Sequence, residues 1–403
     1  MTHAPSHDEF AVAVVGAGAA GLAAALAMAQ AGIRTALVGR HAPVADGRTV
    51  ALLDGSVRFL DALGAWDGIA PHAAPLAVLQ IIDDTGSLFR PPPARFRAGE
   101  IGLDAFGWNV ESRRLVEALR ARARTVPLTL FESDAVAAEP GEVFSRVALA
   151  DGGHVAAQLV VGADGARSPL RAASGIRVRD WSYPQGAITA ILAHARPHDD
   201  VSTEFHTRSG PFTLVPLPGR RSSLVWVTGE GAARRLAGLD DDALGAAVTA
   251  QAQAMLGPMR IDGPRGLVPM RGLSVASPTT RRLALIGEAA HVFPPIGAQG
   301  LNLGLRDAAA LRDAVRAAIR DGRDPGTRAA LAGFSRARGR DAALRTAAVD
   351  TLNRSLLADF APVDALRGLG LLAMTAIGPL RRAVMREGVL PRFGVPEQMR
   401  AGR

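Results

Sequence analysis

The sequence contains no cysteine and no lysine. Without cysteine the chain cannot form disulfides, thiolate metal sites or iron–sulfur clusters, and it has no thiolate nucleophile. Without lysine it can form no Schiff base with a side-chain amine. All 46 basic residues are therefore arginine, and against 38 acidic residues they give a net charge of +8. Difficult chemistry in this chain must rely on a bound cofactor or on other side chains.

Aromatic residues and long apolar runs are also scarce. Aromatics make up only 4% and the arginines are scattered, so we expect no nucleic acid partner. No apolar run reaches the roughly 20 residues that a membrane span needs. Residues 1–10 are polar and do not resemble a secretory signal. We expect a cytoplasmic protein, with peripheral attachment to the inner face of a membrane as an open alternative.

The N-terminal region has the pattern strand, glycine-rich turn, helix, strand. Residues 10–15 are apolar, residues 22–31 are alanine-rich and residues 34–38 form a second apolar run. The turn reads Gly16-x-Gly18-x-Ala20-Gly21, which is a dinucleotide-binding fingerprint in its proper context. The first glycine permits a tight turn, the second lets a pyrophosphate approach, and the third lets the helix lie close to the strand. We predict a nucleotide at this turn.

One element of the fingerprint is missing. An acidic residue about 20 positions further on usually binds the ribose hydroxyls. Here the second strand ends at Gly39 and Arg40. Arg48 is a candidate for the pyrophosphate, and a solvated arginine is an equally good interpretation.

The segment from Gly287 to Asp307 is the most informative part of the chain. An acidic residue, Glu288, follows the apolar run 282–286, and Pro294-Pro295 excludes helix at that point. Glycines at 297, 300 and 304 let the backbone approach a flat group, and residues 303–319 have helical periodicity. A helix start stabilises negative charge. The segment therefore predicts a site for a flat ring that accumulates negative charge.

A third buried run, at residues 159–162, leads into Asp164-Gly165. The carboxyl ends of parallel strands meet at one edge of a sheet. We therefore expect the Gly16–Gly21 turn, Asp164-Gly165 and the Gly287–Asp307 segment to touch one long ligand.

The fold class expected is α/β with an α+β insertion. Residues 1–75, 105–175 and 275–340 are predicted to form a discontinuous Rossmann-like domain. Residues 76–104 and 176–274 are predicted to form a mostly antiparallel substrate domain, and residues 341–403 a helical region.

Finer predictions concern single elements. A helix is expected to open at Asn109, and residues 128–131 and 143–149 alternate like a hairpin or meander around a turn at 139–141. At the C-terminus, helices are expected over 346–358 and 363–385, interrupted by Pro362 and Pro379. The last of these contains an apolar stretch flanked by arginines, which is compatible with a docked helix or with an interfacial one.

Taken together, these motifs resemble the class A flavin-dependent aromatic hydroxylases, which share the para-hydroxybenzoate hydroxylase fold. More narrowly, they resemble the branch that hydroxylates polyprenylated phenols in ubiquinone biosynthesis. The resemblance covers essentially the whole chain. It is carried by Gly16-x-Gly18-x-x-Gly21, Arg48-Thr-Val-Ala-Leu, Val110-Glu-Ser-Arg113-x-Leu115, Gly162-Ala-Asp164-Gly165-x-x-Ser168-x-x-Arg171 and the segment from Gly287 to Asp307.

The resemblance implies FAD as cofactor, NADH or NADPH as electron donor, and O2 as co-substrate. Oxygen would reach the aromatic ring from a C4a-hydroperoxyflavin, so neither a metal nor a protein nucleophile is needed. The implied cofactor-binding residues are Gly16, Gly18, Ala20, Gly21, Arg48, Arg113, Asp164, Gly165, Gly287, Glu288, Gly297, Gln299, Gly300, Leu301 and Asn302.

The predicted catalytic positions are Pro294, Pro295 and Gly297, together with His291. His291 is either a general base or a histidine hydrogen-bonded to the backbone. We predict that Phe293 walls the substrate, with Leu214, Pro216 and Leu217 opposite; a plain core role for those three is equally compatible.

Two departures from the family pattern stand out. Glu288 occupies a position where the family usually has Asp, and Gly39 one where it usually has Glu. The first lengthens the carboxylate expected to contact the ribityl chain, and the second removes the expected ribose ligand.

Two alternatives to a prenylated phenol hydroxylase remain open. One is a hydroxylase of a small aromatic acid, with Arg208, Arg220 or Arg221 binding its carboxylate. The other is a non-catalytic flavin-binding component of a biosynthetic complex.

Overall fold

The structure is a computed structural model that describes residues 9–40, 47–86, 92–294, 298–357, 370, 372–389 and 394–400. Pro295 and Gly297, two of the predicted site residues, lie outside the described residues, as does Pro362. The predicted α/β fold is confirmed, with three sheets among the described residues.

The first sheet carries the N-terminal glycine-rich turn. Its strands are β1 (Glu9–Val15), β2 (Thr35–Val38), β8 (Leu128–Phe131), β9 (Ala135–Pro140), β10 (Ser145–Leu149), β11 (His154–Gly162), β17 (Thr279–Thr280) and β18 (Leu283–Leu285). They run in the order β17-β18-β11-β1-β2-β8, with the β10-β9 hairpin attached to β11. From β18 to β8 in this order, each strand is parallel to its neighbour. Apolar runs without alternation, such as β1, are what burial on both faces requires.

The predicted hairpin is only partly correct. Residues 145–149 do pair with residues 135–140, but Leu128–Phe131 pairs with β2 in the parallel sheet. A short apolar strand gives no local sign of its partner, so the alternation could not distinguish the two pairings.

The second sheet is mostly antiparallel. Its strands are β5 (Val78–Asp83), β6 (Ala94–Arg97), β12 (Val178–His194), β13 (Val201–Thr207), β14 (Gly210–Leu217), β15 (Arg221–Gly229), β16 (Met259–Val275) and β19 (His291–Val292). The order is β19-β16-β12-β15-β14-β13-β5-β6, and β5 and β13 are parallel. The two 17-residue strands, β12 and β16, pair along most of their length.

A third, small sheet joins the first two. It consists of β3 (Thr49–Leu53), β4 (Ala73–Pro75) and β7 (Gly107–Glu111) in the order β3-β7-β4. Asn109, expected to open a helix, lies in β7. The helix begins at Ser112 instead, because Glu111 still has the extended conformation of an N-cap residue.

Helices cover the sheets. They are α1 (Ala19–Gln30), α2 (Asp54–Ala62), α3 (Trp66–Ile69), α4 (Ser112–Ala123), α5 (Pro169–Ala173), α6 (Glu230–Ala237), α7 (Asp241–Gln251), α8 (Gln299–Arg320), α9 (Arg328–Leu357) and α10 (Gly378–Val389). The prediction of a helix starting at residue 346 is wrong, because α9 runs through 30 residues from Arg328. Pro379 lies in the first turn of α10, where its missing N–H costs nothing.

The main core lies between the first sheet and helices α1, α4 and α8. Residues Gly21–Ala29 of α1 are all buried, which explains their lack of polar residues. A second core lies between one face of the second sheet and α6 and α7. The opposite face of that sheet is left to cover the edge where the glycine-rich loops meet.

Candidate functional site

The three glycines of the N-terminal turn have three different environments. Gly16 has a φ of +115°, and an added Cβ would overlap the carbonyl oxygen of Ala163 at the end of β11. A Cβ on Gly21 would overlap the Gly16 carbonyl. Gly18, the N-cap residue of α1, has open space where its Cβ would lie. The outer two glycines therefore serve packing, and the middle one leaves room for a ligand at a helix start.

The start of α1 also contacts the Gly287 segment. Gly287 has a φ of +58°, and an added Cβ there would lie 3.3 Å from the Ala20 Cβ. A Cβ on Gly304 would lie 3.1 Å from the Gly287 Cα. Ala20, Gly287 and Gly304 thus bring α1, α8 and the loop after β18 together, so two helix starts share one edge of the sheet.

The end of β11 contributes a carboxylate. The Asp164 Oδ2 accepts a hydrogen bond from the Leu170 amide at 3.3 Å, while its buried Oδ1 has no partner among the described residues. Burial raises the pKa of Asp164, and hydrogen bonds from Ser168 and the Leu170 amide only partly oppose this. The adjacent Gly165 has a φ of +82° and open space beside it. The Oδ1 atom is therefore an acceptor that a hydroxylated ligand can use.

The surroundings of Gly39 explain why no acidic residue stands at the position expected to bind the ribose. A Cβ at this position would lie 2.8 Å from the backbone nitrogen of Ala17 in the glycine-rich turn. The end of β2 thus approaches the turn so closely that a side chain at this position would require the backbone to shift. The next residue, Arg40, is exposed and pairs with Asp134.

The start of α8 is tied to the small sheet by Asn302. Its Oδ1 accepts from the Leu53 amide at 2.9 Å, and its Nδ2 donates to the carbonyls of Ala51 at 2.7 Å and Ala298 at 2.6 Å. The side chain is buried and fully engaged. Asn302 therefore holds the start of α8 in place, and its side chain is not available to a ligand.

The other residues at this helix start divide into two groups. Gln299 accepts a hydrogen bond from Arg345, and Leu301 packs against the main core. Gly300, by contrast, faces open space. The first four N–H groups of a helix have no partner within the helix, so the α8 start offers donors beside an open volume.

His291 is held by a buried ionic network that the sequence did not indicate. The Asp307 Oδ2 lies 2.6 Å from the His291 Nε2 and accepts from the Gly287 amide at 3.1 Å. The Arg338 Nε donates to the Asp307 Oδ1 at 2.7 Å. All three side chains are at most 5% exposed. His291 therefore bonds to a carboxylate of α8 rather than to the backbone, which corrects the expectation of a backbone partner. Its Nδ1 is buried and has no partner among the described residues.

The network continues along α9. Arg338 and Arg345 both donate to Asp341, and Arg306 lies 3.1 Å from the same carboxylate. Burial works against ionisation, but the three guanidinium groups hold the pKa of Asp341 well below its usual range. The pKa of Asp307 is likewise lowered, because the charges of Arg338 and His291 outweigh its burial.

Residues 9–338 match the FAD binding domain family. The chain belongs to this family. It is 35% identical to the ubiquinone hydroxylase UbiL of Rhodospirillum rubrum over 386 residues, covering 94% of this chain and 89% of the relative. It is 29% identical to the 3-demethoxyubiquinol 3-hydroxylase of Escherichia coli K12, covering 96% and 99%.

The fold is similar to that of p-nitrophenol 4-monooxygenase PnpA from Pseudomonas putida DLL-E4, with a TM-score of 0.78 at 18% identity. That likeness covers 98% of this chain and 100% of the other. The predicted cofactor, FAD, is confirmed by the family match.

The geometry fits FAD at three points. Gly18 leaves room at the start of α1, where a pyrophosphate binds well. The Asp164 Oδ1 supplies an acceptor for a sugar or ribityl hydroxyl. Gly300 leaves room at the start of α8, whose N–H groups favour the negative charge of a reduced flavin.

Three further predicted FAD contacts lie at the surface. Glu288 is exposed in the 3-10 turn after β18 and makes no hydrogen bond within the described residues. Arg48 is exposed beside the start of β3. Arg113 lies in the first turn of α4 and pairs with Glu117 and Glu111.

The strand pairing determines which side chains of the second sheet face the edge of the first sheet where the glycine-rich loops meet. Ser223 bonds to Thr49 of β3 at 2.8 Å, so its side chain points to that edge. Val215 lies directly opposite Ser223 and shares its face, whereas Leu214 lies opposite Leu224. Leu214 is in the core beneath α7. The core alternative thus describes Leu214, while Val215 and, two positions further along, Leu217 lie on the face of Ser223.

The remaining predicted substrate residues lie around this face. Pro216 and Leu217 are buried, and the Pro216 carbonyl accepts from Asn109 at 2.8 Å. The Phe293 ring lies 5.2 Å from the His291 ring, and Pro294 is buried. These positions place Phe293 and the Pro216 end of β14 at the junction of the sheets.

The arginines proposed for a small acid substrate are engaged elsewhere. Arg208 donates to the Thr85 carbonyl and Arg220 to the Ala195 carbonyl. Arg221 pairs with Glu111 and Asp262. This arrangement gives no support to a carboxylate site built from these side chains.

Proposed function

We propose that the protein is an FAD-dependent monooxygenase that hydroxylates the aromatic ring of a polyprenylated phenol in ubiquinone biosynthesis, with NADH or NADPH as electron donor. The observation that carries this proposal is the similarity to ubiquinone hydroxylase UbiL over 94% of the chain. The engagement of Arg208, Arg220 and Arg221 in other contacts supports it, since a prenylated ring needs no charged ligand.

The residues have distinct tasks in this proposal. Gly18 and the α1 start hold the pyrophosphate, and the Asp164 Oδ1 and Glu288 accept from hydroxyls of the cofactor. The backbone N–H groups at 299–301 face the flavin ring. Bound FAD supplies the oxygen-transfer chemistry, while the protein orients the substrate and excludes water. Residues 76–104 and 176–274 serve as the substrate domain.

The proposal is tested by turnover of the purified protein. We expect yellow protein whose colour is bleached faster by NADH or NADPH when a prenylated phenol is present, with a hydroxylated product. Colourless protein that takes up no added FAD would contradict the enzyme assignment. Faster bleaching with small hydroxybenzoates alone would instead favour the aromatic acid alternative.

The C-terminal helices suggest how the protein obtains an apolar substrate. Within the described residues, no helix has both the length and the apolar character needed to cross a membrane. However, Leu372, Ile377, Leu380 and Val384 are 37–49% exposed, and we name them the C-terminal apolar stripe. Arg386 beside it is exposed as well. We propose that this stripe attaches the protein to the surface of an anionic membrane.

Charges within the stripe should weaken this attachment. We expect the double variant Leu380→Glu/Val384→Glu to bind anionic vesicles at least about 10-fold more weakly, because burying two such side chains contributes roughly 3 kcal/mol or more. Vesicle co-sedimentation measures the effect. The matched control is Leu344→Glu, since Leu344 is 78% exposed on α9, outside the stripe. Equal binding by the wild type and the double variant would show that the stripe does not attach the protein to the membrane.

A further inference from the structure

A cavity of about 320 Å³ lies between α9 and the ends of β12 and β16. Its wall includes Leu285 and Ala290, which precede and follow the turn at Gly287. The volume is near the lower end of the range for small-molecule pockets, which is roughly 300–1,000 Å³. The residues proposed to contact FAD do not line this cavity, so it is a separate site that shares only the Gly287 loop with the cofactor.

The ionic network beside this cavity carries more positive than negative charge. Within the described part of the chain, three arginines share two carboxylates, those of Asp307 and Asp341. The arginines are Arg306, Arg338 and Arg345, and their side chains are at most 16% exposed. Burial and the charge of Arg345 lower the pKa of Arg306, although Asp341 opposes this. A buried excess charge is costly unless another group balances it.

Two nitrogens of this network have no partner among the described residues. Arg338 donates through its Nε to Asp307 and through its Nη1 to Asp341, while its Nη2 is buried and unpaired. His291 contacts Asp307 through its Nε2, and its Nδ1 is buried and unpaired. Both residues line the cavity. Because buried donors are rarely left without an acceptor, we expect a ligand in the cavity to supply one to Arg338.

The rest of the wall suits an apolar body. Its apolar part contains Trp181, Val275, Pro278 and Leu285. The wall also contains one further charge of each sign, Arg179 and Asp350. The Arg179 guanidinium lies 5.2 Å from the Trp181 ring centre, and the Asp350 Oδ1 accepts from the Tyr183 hydroxyl at 2.6 Å. These two charges offset each other, so the excess in the network sets the sign of the ligand.

We propose that this cavity binds a small organic carboxylate and that its binding strengthens the hold on FAD. The carboxylate accepts from Arg338 and balances the excess positive charge, while the apolar part of the ligand packs against Trp181 and Leu285. Arg338 holds Asp307, and Asp307 holds the Gly287 amide. A ligand that fixes Arg338 therefore also fixes the loop beside the cofactor.

Calorimetric titration of the FAD-loaded full chain with isobutyrate tests the proposal, and isobutyramide is the neutral probe of the same shape. We expect isobutyrate to bind with millimolar affinity and isobutyramide at least about 10-fold more weakly, because hydrogen bonds to charged groups are stronger. Saturating isobutyrate should also slow the release of FAD by about 5-fold or more, as is usual for coupled sites. Flavin fluorescence after dilution of the holoprotein measures this rate.

Two variants locate the site. Ala342→Leu fills the cavity from α9 and should abolish isobutyrate binding. Arg179→Gln removes a positive charge from the wall and should weaken binding several-fold. The matched control is Ala337→Leu, because Ala337 is exposed on α9 and lies outside the cavity. This control should bind isobutyrate as the wild type does.

Each contrary result has a defined meaning. Equal affinity for the two probes, or unchanged isobutyrate binding in both cavity variants, would overturn the inference. Isobutyrate binding that leaves FAD release unchanged would overturn the coupling to the cofactor. If chloride alone produced the full effect, the ligand would be an inorganic anion and the carboxylate assignment would be wrong. If Ala342→Leu fails to fold, Arg179→Gln decides. These measurements need no turnover, so they are independent of the proposed substrate.

Discussion

Replacing Gly300 by leucine should abolish FAD binding while leaving the fold intact. Gly300 is the second residue of α8, and its missing side chain faces open space beside the helix start. A leucine there meets no protein atom within 4 Å at its Cβ, so the polypeptide can accept it. It even gains helix propensity, by roughly 0.5–1 kcal/mol. The volume it fills is the one assigned to the flavin ring.

Flavin absorbance after purification measures the result. We expect at least a 100-fold loss of FAD affinity, with circular dichroism and a melting temperature like those of the wild-type apoprotein. Gly333→Leu is the matched control, because Gly333 is also helical with nothing within 4 Å. A Gly300→Leu protein that stays yellow and active would show that the loop does not face the ring.

Asp307→Ala should be among the most destabilising single changes in the protein. The substitution leaves Arg338 and His291 buried without their shared carboxylate and removes the acceptor of the Gly287 amide. Breaking a buried pair in this way costs about 3–5 kcal/mol. We expect a loss of that size in the free energy of unfolding at pH 7, measured by denaturant titration. Asp321→Ala, which removes an exposed carboxylate paired with Arg320 and Arg323, should change it far less.

The effect has a defined pH dependence. The pKa of Asp307 is lower in the folded protein than in the unfolded chain, so its stabilisation is complete above about pH 4 and is lost as the pH falls toward the folded pKa. The difference between wild type and Asp307→Ala should therefore shrink below about pH 4. A difference that stays constant or widens in acid would contradict the assignment of Asp307 as an ionised partner.

The sequence predicted what local backbone geometry determines. The roles of Gly16, Gly18 and Gly21 follow from a turn whose shape is set within six residues, and the structure places each glycine accordingly. The helix expected over residues 303–319 is present as α8, but it begins four residues earlier, at Gln299.

The features that the sequence did not predict depend on strand register and on contacts between residues that are distant in sequence. Leu214 and Val215 differ by one position, and a strand turns successive side chains to opposite faces, so sequence alone could not decide which one faces FAD. The Arg338 partner of Asp307 lies 31 residues away. Asp307 ends the Gly287–Asp307 segment, but Arg338 belongs to no motif, and only helix packing brings the two together.

The Asp307–Arg338 contact also sets a minimum length for a fragment of this chain that can still hold FAD. Asp307 holds the Gly287 amide and is itself held from α9, so a chain cut after α8 keeps every proposed FAD contact but loses the anchor of the loop beside it. The family match ends at residue 338, which is this arginine. A minimal cofactor-holding fragment would therefore have to include the first third of α9, although no part of that helix need touch the flavin.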